Sequence, residues 1–275
     1  MPTPPIYSNH RSGPQIDKER AGVVVGSGNG GATTFSAGVE DFVRKGPRGV
    51  SPCTIPFAMP NAASALVSID ARIGFLGPNY SISTACATSN HCLHSTADQI
   101  RLGRSDVMGG AEAAVAPVCL GGFVALRALS RRNGDPGAAS RPWDRDRDGF
   151  VLGEGTGTCA PSPRSRGNVC VRLCSPLLFV VRCVRLLPRC KLMTSHGRRR
   201  GAPILAEYLG GAASCDAHHL MDPRPDGRGA AACIRRSLED AGVAPEEVWC
   251  LPKCLAHCIG VNGLVSCVVI HPLRI

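Results

Sequence analysis

Aromatic side chains are scarce in this 275-residue chain: Phe, Tyr and Trp together make up 4% of it. Beside 32 glycines and 22 prolines, that scarcity fits an α/β protein with many tight turns and argues against a sandwich or a coiled coil. Long uncharged runs are missing too. The most apolar stretch, Cys170 to Leu187, is interrupted by Arg172, Arg182 and Arg185 and broken by Pro176. A membrane-crossing helix needs about 20 largely uncharged residues, so no membrane span is expected. The first residues, Met1 to Pro14, are Pro-rich and polar, with neither a signal-peptide core nor the Arg/Ser-rich pattern of a transit peptide. The 15 cysteines contain no pair of CxxC knuckles, which removes the usual zinc framework and leaves reduced thiols in a cytosolic or organellar compartment as the expectation. No metal and no cofactor is expected, and no internal repeat is found. What remains is a 44% apolar content, ample for a buried core.

A net charge of +10 would ordinarily point to a polyanionic partner. Its distribution argues otherwise. Ten of the 31 basic residues lie between Thr158 and Arg200, where no acidic residue occurs, and the other 21 are matched by 21 acidic ones. No nucleic-acid partner is therefore expected for the fold as a whole. Five cysteines share that segment and four more fall in Trp249–Ile275, which also lacks acidic residues.

Elsewhere strands and helices alternate. Ala21–Val25 reads as a short apolar strand running into glycines, and Thr33–Lys45 as a helix with Phe35, Val39 and Phe42 forming its apolar stripe. Asn61–Ile69 is helical in pattern, Asn79–Thr84 a strand, and Ser89–Leu102 a helix with Leu93, Ala97 and Ile100 on one face and Gly103 as its stop. Val107–Val118 is small and apolar, Ala125–Leu129 reads as a short helix, Gly149–Gly157 and Ala202–Leu209 as strands, and Gly229–Gly242 as a helix turning Ile234, Leu238 and Ala241 inward.

Two motifs carry chemistry. The cluster Gly26-Ser-Gly28-Asn-Gly30-Gly31 satisfies GxGxxG between a strand and a helix, the setting of a dinucleotide-binding turn. The acidic residues after it, Glu40 and Asp41, come too early for a ribose contact, which favours a turn whose glycines allow close helix–strand packing. The stretch Ser83-Thr84-Ala85-Cys86-Ala87-Thr88-Ser89 places a thiol between a strand end and a helix start. Backbone N–H groups and the helix dipole favour a thiolate there and can hold a developing oxyanion, and small neighbours leave room for a thioester. A small buried cysteine at a strand end fits the same pattern. His91 and His94 follow on the helix and His218 and His219 sit in a polar loop; spacing alone gives none of them a role. Asp144, Asp146, Asp148 and Glu154, interleaved with Arg141, Arg145 and Arg147, lack the order of an EF-hand and read as an ion-paired loop.

The stretches NYSISTACATSN, GGFVALRALSRRN, SRPWDRDRDGFVLGEGTG, RGAPILAEYLGGA, CDAHHLMDPRPDG and SLEDAGVAPEEV together resemble the plant plastid β-ketoacyl-acyl-carrier-protein synthases of type I, over about Ile16–Gly157 and Arg200–Val248. The resemblance implies a thiolase-like αβαβα layered fold, incomplete here, and usually a homodimer in the plastid stroma. It implies that a cysteine accepts an acyl chain from acyl carrier protein and condenses it with malonyl carrier protein as carbon dioxide leaves. By position, Cys86 is the nucleophile, Asp148 and Glu154 buttress the site, Phe123 lies near the acyl pocket and His219 at the edge of the substrate channel.

The departures define the expected domains. Residues 1–15 form a non-family stretch, 16–147 a partial N-terminal thiolase-like half, and 148–248 the start of the C-terminal half, interrupted by an aberrant segment 158–199; an aberrant tail follows at 249–275. The family's opening strand and first helices are missing before Ile16. Val107-Met108-Gly109-Gly110 is about two residues short of the family's buried strand. After Val248 the family's catalytic histidines, lysine and glycine-rich turn are not recognisable, and His257 sits in LAHCIG about three residues late. The resemblance then allows acylation of Cys86 but not condensation, and a second reading is a catalytically incomplete fragment acting as a non-catalytic partner of a full-length synthase. The two acid-free segments have the texture of translated intron sequence. Source-tissue cDNA is expected to lack them, and a transcript reading straight through both would overturn that reading.

Overall fold

The computed structural model describes residues 18–19, 21–70, 74–102, 108–142, 144–159, 169–171, 206–219, 222–247 and 264–272. Its first half contains β1 (Val23–Gly26), α1 (Ala32–Lys45), α2 (Thr54–Ala58), α3 (Ala62–Ile69), β2 (Asn79–Tyr80) and α4 (Thr88–Arg101). There follow β3 (Met108–Ala113), α5 (Pro117–Ala125), β4 (Glu154–Cys159), β5 (Val169–Val171), β6 (Ala206–Cys215), α6 (Arg228–Ala241) and β7 (Leu264–Pro272). One mixed sheet has the order β2-β1-β3-β4, parallel at its first two junctions and antiparallel between β3 and β4. A second, antiparallel sheet has the order β5-β6-β7.

The alternation of β1 sets the layers. Val23 and Val25 point to one side, where they cluster with Ala21 and Phe75 under Ala63 and Val67 of α3. Gly26 faces the other side, toward Thr88 and Cys92 of α4. Helices α3 and α4 therefore cover opposite faces of the first sheet. Asn79 ties α3 to the sheet edge by donating from Nδ2 to the Ser64 carbonyl at 2.9 Å and to Ser68 Oγ at 2.5 Å.

Helix α4 also meets β6 and β7 of the second sheet, so it lies between the two sheets. Tyr208 on β6 is fully buried with Ala97, flanked by Leu93 and Ile100, the face expected from the sequence. A β-bulge between Tyr208 and Gly210 shifts the alternation of β6. Gly210 consequently faces α6, close enough to Ala241 that no Cβ fits between them. The order is thus α3, sheet, α4, sheet, α6, the five-layered αβαβα arrangement. Polar contacts bolt the middle together. His94 Nδ1 is 2.8 Å from the Tyr208 hydroxyl, and the Arg101 guanidinium lies 5.8 Å from the Tyr208 ring centroid. Arg101 donates to both carboxylate oxygens of Asp240 at 3.0 and 3.1 Å and to the Leu209 carbonyl at 3.2 Å.

Several elements differ from the sequence expectation. The strand expected over 79–84 is paired only at Asn79–Tyr80, because the chain then turns toward Cys86. The short helix expected at Ala125–Leu129 ends where it was to begin: α5 runs Pro117–Ala125, opened by a proline at its first position, and Arg127 at φ 54° turns the chain away. Strand β4 starts at Glu154 rather than Gly149, since Gly149 at φ 142° lies in a loop. The stripe Phe35, Val39, Phe42 is not a core face: Phe35 and Phe42 are 53% and 54% exposed. Contact between α1 and α2 runs instead through Gly38, whose bare Cα accommodates Thr54. Within 249–275, where no element was expected, Leu264–Pro272 forms β7 along β6.

Because Tyr208 joins α4 to the second sheet, Tyr208→Phe is expected to cost about 1 kcal/mol for the lost hydroxyl partner of His94, and Tyr208→Ala about 3–5 kcal/mol. Urea unfolding midpoints at an unchanged slope would check both values.

Candidate active site around Cys86

Cys86 is exposed on a single 3-10 turn, Ala85–Ala87, immediately before α4. Ala85 takes φ 49°, a left-handed conformation that costs a residue with a Cβ about 1 kcal/mol and persists only where the surroundings enforce it. Thr88 supplies part of that enforcement. Its Oγ1 accepts from Thr84 N at 2.9 Å and donates to the Ala85 carbonyl at 2.7 Å, closing the turn on both sides. No side chain caps the first turn of α4; the 3-10 turn leads straight into it, with Ala87 N–H donating to the Thr84 carbonyl at 3.1 Å and Thr88 N–H to the Ala85 carbonyl. Six residues after Cys86, Cys92 is buried beneath the helix, and that burial pushes its thiol up to about 11.

The glycine cluster lies against this turn. Ser83 Oγ donates to the Gly28 carbonyl at 3.2 Å, and a Cβ on Gly28 would stand 3.2 Å from the Ala85 carbonyl oxygen. Its donors point at Glu112 of β3. Gly28 N–H reaches Glu112 Oε2 at 2.6 Å and Asn29 N–H the same oxygen at 3.3 Å. Ser27 Oγ donates to Oε1 at 3.3 Å and receives Gly30 N–H at 2.8 Å. A carboxylate of the chain itself thus fills the N–H cradle in which a dinucleotide pyrophosphate would sit, and the GxGxxG match is a packing turn. Glu112 was not singled out in the sequence. Its signal is present all the same: it is the one acidic residue in the small, apolar stretch Val107–Val118, and a carboxylate in a central strand needs donors.

The buttress residues expected from the resemblance brace two different loops. Asp148 accepts from Ser130 Oγ at 2.7 Å and from Arg131 N–H at 2.8 Å, and these bonds hold its carboxyl below the usual carboxylate range. The clasp therefore stays closed at neutral pH and opens as the pH falls through that lowered value. It pins the bridge between Leu129 and Phe150, and Phe150 packs edge-on against Phe123 of α5 with ring centroids 5.2 Å apart. Glu154, opposite Ala113 in the β3–β4 register, accepts from Val115 N–H at 2.9 Å and so fixes the connector from β3 to α5. In the charged loop, Arg141 lies 3.8 Å from Asp144, whose carboxylate accepts from Asp146 N–H at 2.8 Å.

His219 sits in the exposed turn after β6, where its Nδ1 accepts from Asp222 N–H at 3.1 Å. His94 is taken up by Tyr208. His91 is half-buried, its Nε2 has no hydrogen-bond partner among the described residues, and desolvation followed by the neighbouring His94 lowers its pKa, favouring the neutral ring. Strand β7 runs beside α4 and the Cys86 turn. His257 lies outside the described residues. Among the described residues no cluster of metal-ligating side chains occurs, and no helix is long and apolar enough to cross a membrane.

Comparison with known proteins gives one consistent picture. Residues 8–160 match the family model described as Beta-ketoacyl synthase, N-terminal domain, and residues 205–263 match Beta-ketoacyl synthase, C-terminal domain. The first match extends past the motif limits of 16–157 at both ends, and the second, beginning at 205 rather than 200, runs past 248 and across His257. The chain is 53% identical over 235 residues to 3-oxoacyl-acyl-carrier-protein synthase I, chloroplastic, of Arabidopsis thaliana, covering 85% of this chain and 43% of the relative. To the protein of the same name from Hordeum vulgare it is 51% identical over 236 residues, covering 85% and 44%. The chain spans less than half the length of these relatives. A solved structure of a type II PKS acyl-carrier protein in complex with its ketosynthase superposes with a TM-score of 0.66 at 27% identity, covering 84% of this chain and 51% of that one.

The two helix-adjacent thiols are expected to behave oppositely. In the folded chain at pH 8, iodoacetamide should modify exposed Cys86 while Cys92, buried and pushed up to about 11, stays unmodified, as peptide mass mapping would show. The sign for stability follows from the same burial. The unfolded thiol ionises first, so the fold should lose stability as the pH climbs from about 9 toward 11.

Proposed function

The chain belongs to the β-ketoacyl synthase family, and from that membership we propose that it serves fatty acid biosynthesis by accepting an acyl chain on Cys86 from acyl carrier protein. The observation that carries the proposal is an exposed thiol on a constrained turn at the start of α4. The Cys86 thiolate attacks the carbonyl carbon of the acyl-carrier thioester. The carbon–sulfur bond to the carrier breaks, the carrier leaves as its thiol, and Cys86 holds the acyl group as a new thioester. The start of α4 brings the positive end of the helix dipole to charge developing beside Cys86.

Condensation completes the reaction. A malonyl-carrier thioester loses carbon dioxide, and the resulting carbanion attacks the acyl carbonyl and expels the Cys86 thiolate, leaving a β-ketoacyl-carrier product. Imidazoles that steady the enolate oxygen are required for this second half, whereas acyl transfer requires only the nucleophile and its oxyanion donors. Asp148 and Glu154 act as loop braces, Phe123 with Phe150 as an apolar wall for the acyl chain, and His219 as an edge of its entrance. The chloroplastic relatives support action in the plastid stroma, and the ketosynthase solved with its acyl carrier protein supports a carrier protein as partner. Pairing of two copies belongs to the same reading, and the half-exposed stripe Phe35, Val39, Phe42 supports it.

Incubation with an acyl-carrier-protein thioester should add the mass of one acyl group to the wild-type chain and nothing to Cys86→Ala, as read by intact-mass spectrometry. Added malonyl carrier protein then reads the second half: release of the adduct as β-ketoacyl product would extend the activity to condensation. A soluble, folded wild type that takes up no acyl group, or a Cys86→Ala chain that still does, would overturn the assignment. An adduct that malonyl carrier protein leaves in place would confine the activity to acyl transfer.

A further inference from the structure

We infer that Glu112 is a positioning residue for the Cys86 nucleophile, acting through the glycine turn. The inference rests on the reading of Cys86 as acyl acceptor and adds to it a residue on another strand. The path consists of direct contacts. Glu112 holds Gly28 N–H at 2.6 Å and Asn29 N–H at 3.3 Å from one oxygen, and Ser27 Oγ at 3.3 Å from the other. The Ser27 hydroxyl in turn receives Gly30 N–H at 2.8 Å. The turn so gathered sets Gly28 beside Ala85, where a Cβ on Gly28 would lie 3.2 Å from the Ala85 carbonyl oxygen, and the Gly28 carbonyl accepts from Ser83 Oγ at 3.2 Å. Ala85 stands at φ 49° directly before Cys86.

A left-handed alanine does not persist by local preference. Thr88 clasps the turn from the helix side, and the Ser83 hydroxyl bonded to the Gly28 carbonyl ties it to the glycine turn from the strand side. Without Glu112 three donors lose their common acceptor, and repulsion among parallel N–H dipoles opens the glycine turn. Gly28 then withdraws from Ala85, Ala85 relaxes toward negative φ, and the Cys86 thiol is re-aimed. Glu112 touches neither Cys86 nor an acyl group, so its effect is one of geometry. Packing constrains the partner as tightly as the acceptor does, since a Cβ on Gly28 would lie 2.9 Å from Glu112 Oε2.

The test uses the full chain and compares Glu112→Ala, Glu112→Gln, Ala85→Gly and the double variant of Ala85→Gly with Glu112→Ala. Single-turnover acylation of Cys86 should fall about tenfold or more in Glu112→Ala. Glu112→Gln keeps one carbonyl acceptor for Gly28 N–H and should recover most of the rate. Ala85→Gly should partly rescue Glu112→Ala, because glycine adopts φ near 50° without outside support. A merely structural carboxylate would give no such coupling to Ala85, and additive rates in the double variant would overturn the inference. Should Glu112→Ala fail to fold, an acylation rate for Glu112→Gln as low as that of Cys86→Ala would overturn it equally, whereas recovery supports it. A wild type that takes up no acyl group would sink the functional reading alone. The ratio of iodoacetamide labelling at Cys86 to that at exposed Cys53 then decides about Glu112: a change of about threefold or more between wild type and Glu112→Ala, largely reversed in Glu112→Gln, supports positioning, and a ratio unchanged in Glu112→Ala overturns it.

Discussion

The docking of α4 between two sheets is the contact on which the remaining architecture depends. On one side the helix approaches β1 so closely that Gly26 has no room for a Cβ: the Ile82 carbonyl oxygen and Cys92 Sγ would lie 2.5 and 2.6 Å from it. On the other side Tyr208 fills the interface against Ala97, and His94 and Arg101 meet it with a hydrogen bond and a cation–π contact. A helix held this tightly on two faces delivers its N-terminus to one place. The turn that carries Cys86 inherits that precision, because its ends are the stub of β2 and the first residue of α4.

Electrostatics around the turn follows an economy of local pairing. The N–H groups of the glycine cluster would attract an anion, and Glu112 supplies it from inside the chain. Asp148 and Glu154 do the same for the N–H groups of Arg131 and Val115. Each carboxylate takes a backbone donor in a connector rather than in a regular element, so each closes a loop that sequence-local hydrogen bonds leave open. Asp148 and Glu154 close the loops on either side of α5, and Glu154 and Glu112 share the β3–β4 ladder.

Much of this was legible in one dimension. The inward face of α4 was read correctly from Leu93, Ala97 and Ile100, because a helix sandwiched between sheets must show a 3.6-residue apolar period. Helix α6 was placed to within a residue, and Gly242 at φ 63° ends it as expected for a glycine after a helix. Where the reading failed, the deciding contact was distant. The stripe Phe35, Val39, Phe42 has the right period for a core face yet stays half-exposed, because α1 meets α2 through Gly38 and Thr54. Strand β7 carries a β-branched run, Val265 and Val268–Ile270, but without a period-2 alternation inside an acid-free, Cys-rich stretch that signal did not stand out, and pairing with β6 gives it order.

The sequence by itself determined the family, the alternation of strands and helices, and the candidacy of Cys86, since these rest on local period and on motifs whose residues are neighbours in the chain. The tertiary structure alone decided what the glycine cluster is for. GSGNGG satisfies a dinucleotide motif as written, and only the arrival of Glu112, 84 positions away from Gly28, shows its donors already occupied. A row of backbone N–H groups specifies a charge and not a ligand, so the identity of its anion is set by whichever carboxylate or phosphate the fold brings within reach.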